Sequence, residues 1–220
     1  MQRLSLLAIV GAFALVTTGC PGSGGSSNNS GVDGAVDADT VPGDSGADAA
    51  SGDAALEDAG PPPPFELTTT AFGDGEVIPL RYECGGILQG PGDNISPDLA
   101  WTAGPVGTMS YAIIMDDVDS GVVHWVIYDI PAEVNGLPEN MPAGYVLTNP
   151  AGTKQAELQG SGYYGYFGAC SEFSINTYRW TIHAMSTATV TGATQATTEY
   201  AMVPLIQAES LASASFTGES

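Results

Sequence analysis

The stretch "MDDVDSGVVHW", Met115 to Trp125, sets three carboxylates, Asp116, Asp117 and Asp119, just ahead of an imidazole, His124, and an indole, Trp125. Acid and imidazole at this spacing serve three kinds of chemistry. They ligate zinc or iron, they move protons as general acid and base, or they line a pocket and present a donor to a ligand. A metal needs a third firm ligand. The only other histidine, His183, stands in the strand-like "YRWTIHAM", where a hydrogen-bonded core histidine is the simpler reading, so no metal is expected. Hydrolysis needs a nucleophile, and no G-x-S-x-G elbow occurs. Glycoside cleavage needs two acids across a saccharide cleft, which neighbouring loop acids do not supply. The ordinary fate of such acids is solvation or turn capping. A binding pocket is the reading that remains, with a metal-dependent or other hydrolase as the less economical alternative.

The elements that must position these groups read as strands. "FELTTTAF", "YAIIMD", "VHWVIYDI" and "YRWTIHAM" are short runs rich in β-branched and aromatic residues, separated by clusters of Gly, Pro, Asn and Asp. Long irregular stretches intervene at Gly85 to Pro97, Pro138 to Thr153 and Gly160 to Thr177, and loops of that length usually carry function. Ala201, Met202, Leu205, Ile206 and Leu211 recur at roughly helical spacing, which predicts a helix over Thr198 to Ala214 that Pro204 kinks or divides. Strands do not alternate with helices, so the expected fold is mainly β, an antiparallel sandwich with a C-terminal helix.

Composition divides the 220-residue chain. Residues 1–20, "MQRLSLLAIVGAFALVTTGC", have the layout of an export signal: one basic residue, an apolar run too short to span a bilayer, and small residues before Cys20. The ending resembles a bacterial lipobox, with Thr17 where an aliphatic residue is usual. The expectation is a lipidated Cys20; an ordinary secretory signal is the alternative. Pro21 follows, not Asp, so no inner-membrane retention signal is read and an outer-membrane, periplasmic or surface-facing location is expected. Residues 21–64 hold no aromatic residue, eight acids and no base, and end in four prolines. Such a segment buries too little to offset its ordering entropy, which predicts a disordered, self-repelling tether.

Residues 65–220 then form one domain, large enough for a core without metal, cofactor or disulfide. It holds seventeen acids against Arg81, Lys154 and Arg179, fourteen negative charges in net. Three scattered cations make no basic patch, which argues against nucleic acid and against anionic membrane surfaces as partners, leaving the lipid anchor as the membrane attachment. Cys84 and Cys170 remain as an even pair in an oxidising compartment, and their bridging rests on a Cβ geometry that sequence does not carry.

"GDNISPDLAW", "SYAIIMDDVDSGVVHWVIYDIPA", "GYFGAC" and "NTYRWTIHAM", in that order, resemble the phosphatidylethanolamine-binding protein family, in its bacterial, Raf kinase inhibitor-like branch. The resemblance runs from "FELTTTAFGDGEVIP" to the terminal "SLASASFTG". It implies a non-catalytic Greek-key sandwich bearing one small surface pocket for anionic groups such as phosphate or a phospholipid head group. The family's Asp-Pro-Asp element matches Asp117 and Asp119, its His-Trp element His124 and Trp125, and the tyrosine of its His-x-Tyr element Tyr178. Carboxylates beside an imidazole favour its protonated, donor form, the form an anion needs.

Departures fall on the same pocket. Where the family reads Gly-Pro-Cys-Pro-Pro, this chain has Gly168, Ala169, Cys170, Ser171 and Glu172, and Asn176 replaces its second histidine. One cation lost and one acid gained, at about 1–3 kcal/mol each in a partly desolvated site, predict a site weakened for phosphate or retuned toward a neutral or zwitterionic ligand. Family members that dock onto proteases or kinases suggest a second class, an inhibitor of an extracytoplasmic enzyme. The aromatic run Tyr163, Tyr164, Tyr166 and Phe167 is then either a contact surface or packing beneath its loop.

Overall fold

Three long apolar runs make the centre of the fold. Strands β4 (Ser110–Asp117), β5 (Val123–Pro131) and β9 (Thr177–Met185) lie side by side in the order β9-β4-β5. They read as nearly continuous hydrophobic stretches because both faces of this part of the sheet are covered. The computed structural model describes residues 63–85, 90–171 and 174–220, all within the unit Leu56–Ser220. The expected export signal with Cys20, nearly all of the expected tether, and Glu172 lie outside the described residues.

Around this centre the strands β2 (Glu76–Val77), β7 (Val146–Thr148), β8 (Ala151–Gln155) and β10 (Ser210–Glu219) complete a seven-stranded sheet, ordered β2-β10-β9-β4-β5-β8-β7. A second sheet, β1-β3-β6, pairs β1 (Leu67–Thr68), β3 (Leu99–Trp101) and β6 (Gly136–Leu137). All pairings are antiparallel except β10 with β2, which is parallel. The main core fills the space between the sheets: Leu67, Leu99, Trp101 and Leu137 from one meet Ile113, Met115, Trp125, Ile127, Trp180 and Ile182 from the other. A smaller core covers the opposite face, where Ile114, Val126 and Tyr128 pack against Met202 and Ile206 of helix α1 (Glu199–Glu209). The mainly β, sandwich-like fold expected from the sequence is thus present. No helix among the described residues is long and apolar enough to cross a membrane.

Two expectations are corrected. The helix stops at Glu209, and residues from Ser210 onward form a strand lying between β9 and β2. The spacing that suggested a longer helix ends in a period of two, with Ala212, Ala214 and Phe216 packed on the main core and Leu211, Ser213 and Ser215 exposed. Pro204 is accommodated inside the helix and does not divide it. The stretch Pro138 to Thr153 holds β7 and most of β8, whose short polar sequences, "VLT" and "AGTKQ", carry little strand signal of their own.

Phe216 stacks on Trp180 with ring centroids 5.2 Å apart and meets Phe72 edge-on at 5.8 Å. Phe216→Ala should therefore cost about 3–5 kcal/mol in urea unfolding. A loss below about 0.5 kcal/mol, the range of a surface position, would contradict the strand.

Candidate ligand-binding site

The C-terminal end of β4, the start of β5 and the start of β9 meet at one edge of the sheet, and the loop 166–171 packs onto them. A β-bulge makes this corner. Met115 pairs with Trp125 but Asp116 pairs with Val123, so His124 is the extra residue of β5. The irregularity re-aims the side chain: His124 and Trp125 both reach the 166–171 loop, His124 stacking on Phe167 at 4.7 Å and Trp125 meeting Tyr166 edge-on at 5.5 Å.

Asp117 is 3 % exposed and holds the corner together. Its Oδ1 accepts from the backbone N–H of Asp119 (2.9 Å) and of Ser120 (3.0 Å), closing the β4–β5 turn. Its Oδ2 accepts from Asn176 Nδ2 at 2.8 Å, which ties that turn to the start of β9. Burial alone would raise this carboxyl's pKa, but the hydrogen bonds from Asn176, Ser120 and Asp119 outweigh burial and lower it. Asp119 is exposed, and its Oδ2 accepts from the Thr177 N–H at 2.7 Å.

His124 is likewise 3 % exposed. Its Nδ1 lies 3.0 Å from the Gly168 carbonyl and 3.2 Å from that of Phe167, so Nδ1 carries the proton and donates. Burial pushes the imidazole's pKa below its ordinary value, despite the upward pull of those carbonyls and of Asp117 and Asp116. The expected protonated donor is corrected on this point: desolvation outweighs the carboxylates, the ring is neutral near pH 7, and Nε2 is an acceptor. Tyr178 meets the His124 ring edge-on at 5.1 Å. Its phenol oxygen accepts from the Cys170 N–H at 2.9 Å and shares a hydrogen bond with Ser171 Oγ at 2.8 Å; burial pushes its pKa up.

The 166–171 loop is itself held against residues 82–84 and Asn94. Gly168 runs so close to the chain at 82–84 that a Cβ there would stand 2.4 Å from the Tyr82 carbonyl oxygen. Its N–H donates to Asn94 Oδ1 at 2.9 Å, and Asn94 Nδ2 donates to the Tyr166 carbonyl at 2.9 Å. Ala169 O accepts from the Cys84 N–H, and a disulfide joins Cys84 to Cys170. Asn94 and Phe167 carry the site without having been singled out for it. The signal for Asn94 is its place in "GDNISPDLAW", within the long irregular stretch Gly85 to Pro97, and its φ of 55° is one that asparagine tolerates.

The structure thus brings together Asp117, Asp119, His124, Gly168, Ala169, Asn176 and Tyr178. Trp125 is different. It is buried in the main core with Nε1 donating to Gln155 Oε1 at 2.7 Å, so it backs the corner and lines no solvent-reachable wall. His183 is hydrogen-bonded through Nδ1 to Ser210 Oγ at 3.0 Å. Of the aromatic run, Tyr166 packs inward and Phe167 covers His124, which is the packing role.

The sequence profile described as phosphatidylethanolamine-binding protein matches residues 68–220. The chain belongs to the phosphatidylethanolamine-binding protein family. Among its relatives, the UPF0098 protein of Methanothermobacter thermautotrophicus is 39 % identical over 126 residues, 56 % of this chain and 78 % of that one. YbhB of Escherichia coli is 35 % identical over 126 residues, with coverage of 55 % and 78 %. The crystal structure of E. coli YbcL, described as a new member of the mammalian PEBP family, superposes with a TM-score of 0.60 at 27 % identity, over 70 % of this chain and 96 % of that one. A PEBP homologue of Chlamydia trachomatis, with a TM-score of 0.57 and 22 % identity over 71 % and 96 %, shares the fold.

Two outcomes follow from the geometry. Because the folded chain holds His124 below the pKa of about 6.5 that an unfolded histidine has, the unfolded chain takes up that proton first. Stability is then whole above about pH 6.5 and declines as pH falls toward the folded value. His183, also lowered by burial, adds the same slope. The loss between about pH 7.5 and 5.5, read from urea midpoints, should be smaller in His124→Gln than in the wild type; equal losses would place His124 in water. Asn176→Ala should cost about 1–3 kcal/mol and raise the pKa of Asp117, read by carboxyl chemical shifts.

Proposed function

We propose that this is an exported, lipid-anchored, non-catalytic binding protein whose site takes a neutral or zwitterionic group, such as a phospholipid head group, in preference to a free dianion. One observation carries the reading: no cationic donor is left at the site, whose unspent donors are one hydroxyl proton of the Tyr178–Ser171 pair and one amide N–H of Asn176, set beside carboxylates and unspent acceptors. His124 Nε2 and Asp119 Oδ1 pair with none of the described residues, whereas Nδ1 is used on carbonyls and Asn176 Nδ2 on Asp117. The three bases of the domain are engaged elsewhere, Arg81 with Glu139, Lys154 with Asp129 and Arg179 with Asp116. A phosphate dianion would meet carboxylates and a lone pair there. An ammonium or hydroxyl group finds acceptors, and a zwitterion brings both a donor and its own compensating charge. The loss of the family's second histidine at Asn176 points the same way.

The test is calorimetric titration of the full chain with phosphorylethanolamine and with inorganic phosphate. At about pH 7.5, phosphorylethanolamine should bind at least about tenfold more tightly. As pH falls through the lowered pKa of folded His124 the gap should narrow, because the protonated ring becomes a donor. Micromolar affinity for phosphate at the higher pH, or unchanged binding in His124→Ala, would overturn the proposal.

Docking onto a protein has one observation in its favour: Val118 and Ile175, 48 % and 78 % exposed, flank Asp119 and Asn176. A partner that stays bound to His124→Ala but is lost from Val118→Asp would establish that reading in place of ligand capture.

A further inference from the structure

The outer face of the seven-stranded sheet carries a concavity, remote in chemistry from the corner just described. β9 and β10 pair with His183 opposite Ser213 and Thr181 opposite Ser215, while β4 sets Asp116 opposite Arg179 and Ile114 opposite Thr181. Since side chains alternate across a strand, these residues share one face. Helix α1 covers part of that face, over β5 and β9, and stops short of the rest. Between its Tyr200 and Pro204 and the sheet lies an open cavity of about 600 Å3, within the size range of small-molecule sites.

Its lining has an unusual balance for this domain. Asp116 is the sole acid among the lining residues, and it is neutralised in place by Arg179 through Nε to Oδ1 at 3.1 Å and an Nη to Oδ2 at 2.6 Å. The groove is therefore electrically neutral in a domain with fourteen net negative charges, so neither a cation nor an anion is its natural complement. The hydroxyls of Thr181, Ser213, Ser215 and Tyr200 hydrogen-bond to none of the described residues, and the Tyr200 side chain is 44 % exposed at the rim. Ile114, Val123 and Val203 supply an apolar wall.

We propose that this groove is a second binding site and that it takes a neutral saccharide. Each feature has a counterpart in that chemistry. Hydroxyl groups that both donate and accept meet the mixed hydroxyls of a sugar. The fixed Arg179–Asp116 pair offers planar donors beside acceptors, and Gln207 on the helix adds an amide of the same dual character. Tyr200 and the apolar wall suit the C–H faces of a pyranose ring, with the phenol's polar edge kept in water. A peptide laid across β4 and β9 would leave most of its backbone amides unpaired, because those two strands are already paired on both sides.

The site is tested on the full chain by saturation-transfer NMR and titration with neutral trisaccharides built from glucose, galactose and N-acetylglucosamine. At least one should bind with submillimolar affinity, and Ser213→Val with Ser215→Val should weaken it about tenfold or more. Both changes place a strand-favouring residue at an exposed strand position, so the fold is kept. His124→Gln should leave saccharide binding unchanged, which separates this site from the first. No binding of any trisaccharide at about 10 mM, binding untouched by the valine pair, or tighter binding of phosphate in the groove would overturn the proposal.

Discussion

One buried carboxylate governs the corner where β4, β5 and β9 meet. Asp117 is taken out of water at the end of an apolar strand, a position that is costly unless every lone pair is used. It stays ionised because two backbone N–H groups of its own turn and the Asn176 amide converge on it. That arrangement fixes the turn, which fixes the bulge at His124, which in turn lays the imidazole against Phe167 and the Gly168 carbonyl. Without Asp117 the turn has no reason to hold the register that buries His124.

The sheet behind this corner works differently on its two faces. Toward the smaller sheet it is an aromatic and aliphatic core, with Trp180 gripped between Phe72 and Phe216. Toward solvent it is closed by α1 over β5 and left open over β10. The same alternation therefore produces a packed interior from Asp117, Tyr178 and Trp180 and a polar groove from Asp116, Arg179 and Thr181. Neighbouring residues with like chemistry, Asp116 and Asp117, end in opposite roles because the strand sends them to opposite faces.

Membership of the phosphatidylethanolamine-binding protein family sets the frame, and the substitutions set the character of this member. With Asn176 where the family has a histidine, the amide is used to satisfy Asp117 and leaves no second imidazole for an anion. With serine in place of a proline at 171 the chain gains an O–H group, and the structure uses it: Ser171 Oγ engages the Tyr178 phenol, which also accepts from the Cys170 N–H. The loop is thereby tied to β9 by hydrogen bonds and to residue 84 by the disulfide.

The residue order by itself determined which strands form the centre, because runs such as "YAIIMD" and "VHWVIYDI" have few ways to hide their apolar atoms other than in a covered sheet. It also determined the family, through motifs too long to arise by chance, and the resemblance in turn implied the grouping of Asp117, Asp119, His124, Gly168 and Tyr178. It did not determine the end of the helix, since Leu211 fits both a helical and a strand period, and only pairing with β9 selects the strand. Nor did it determine the charge state of His124. Sequence shows the acids beside that ring, but the desolvation that outweighs them comes from Phe167 and Tyr178, more than forty positions away in the chain and brought into contact only by the fold. Burial is a property of the whole tertiary arrangement, and here burial decides whether the imidazole donates or accepts.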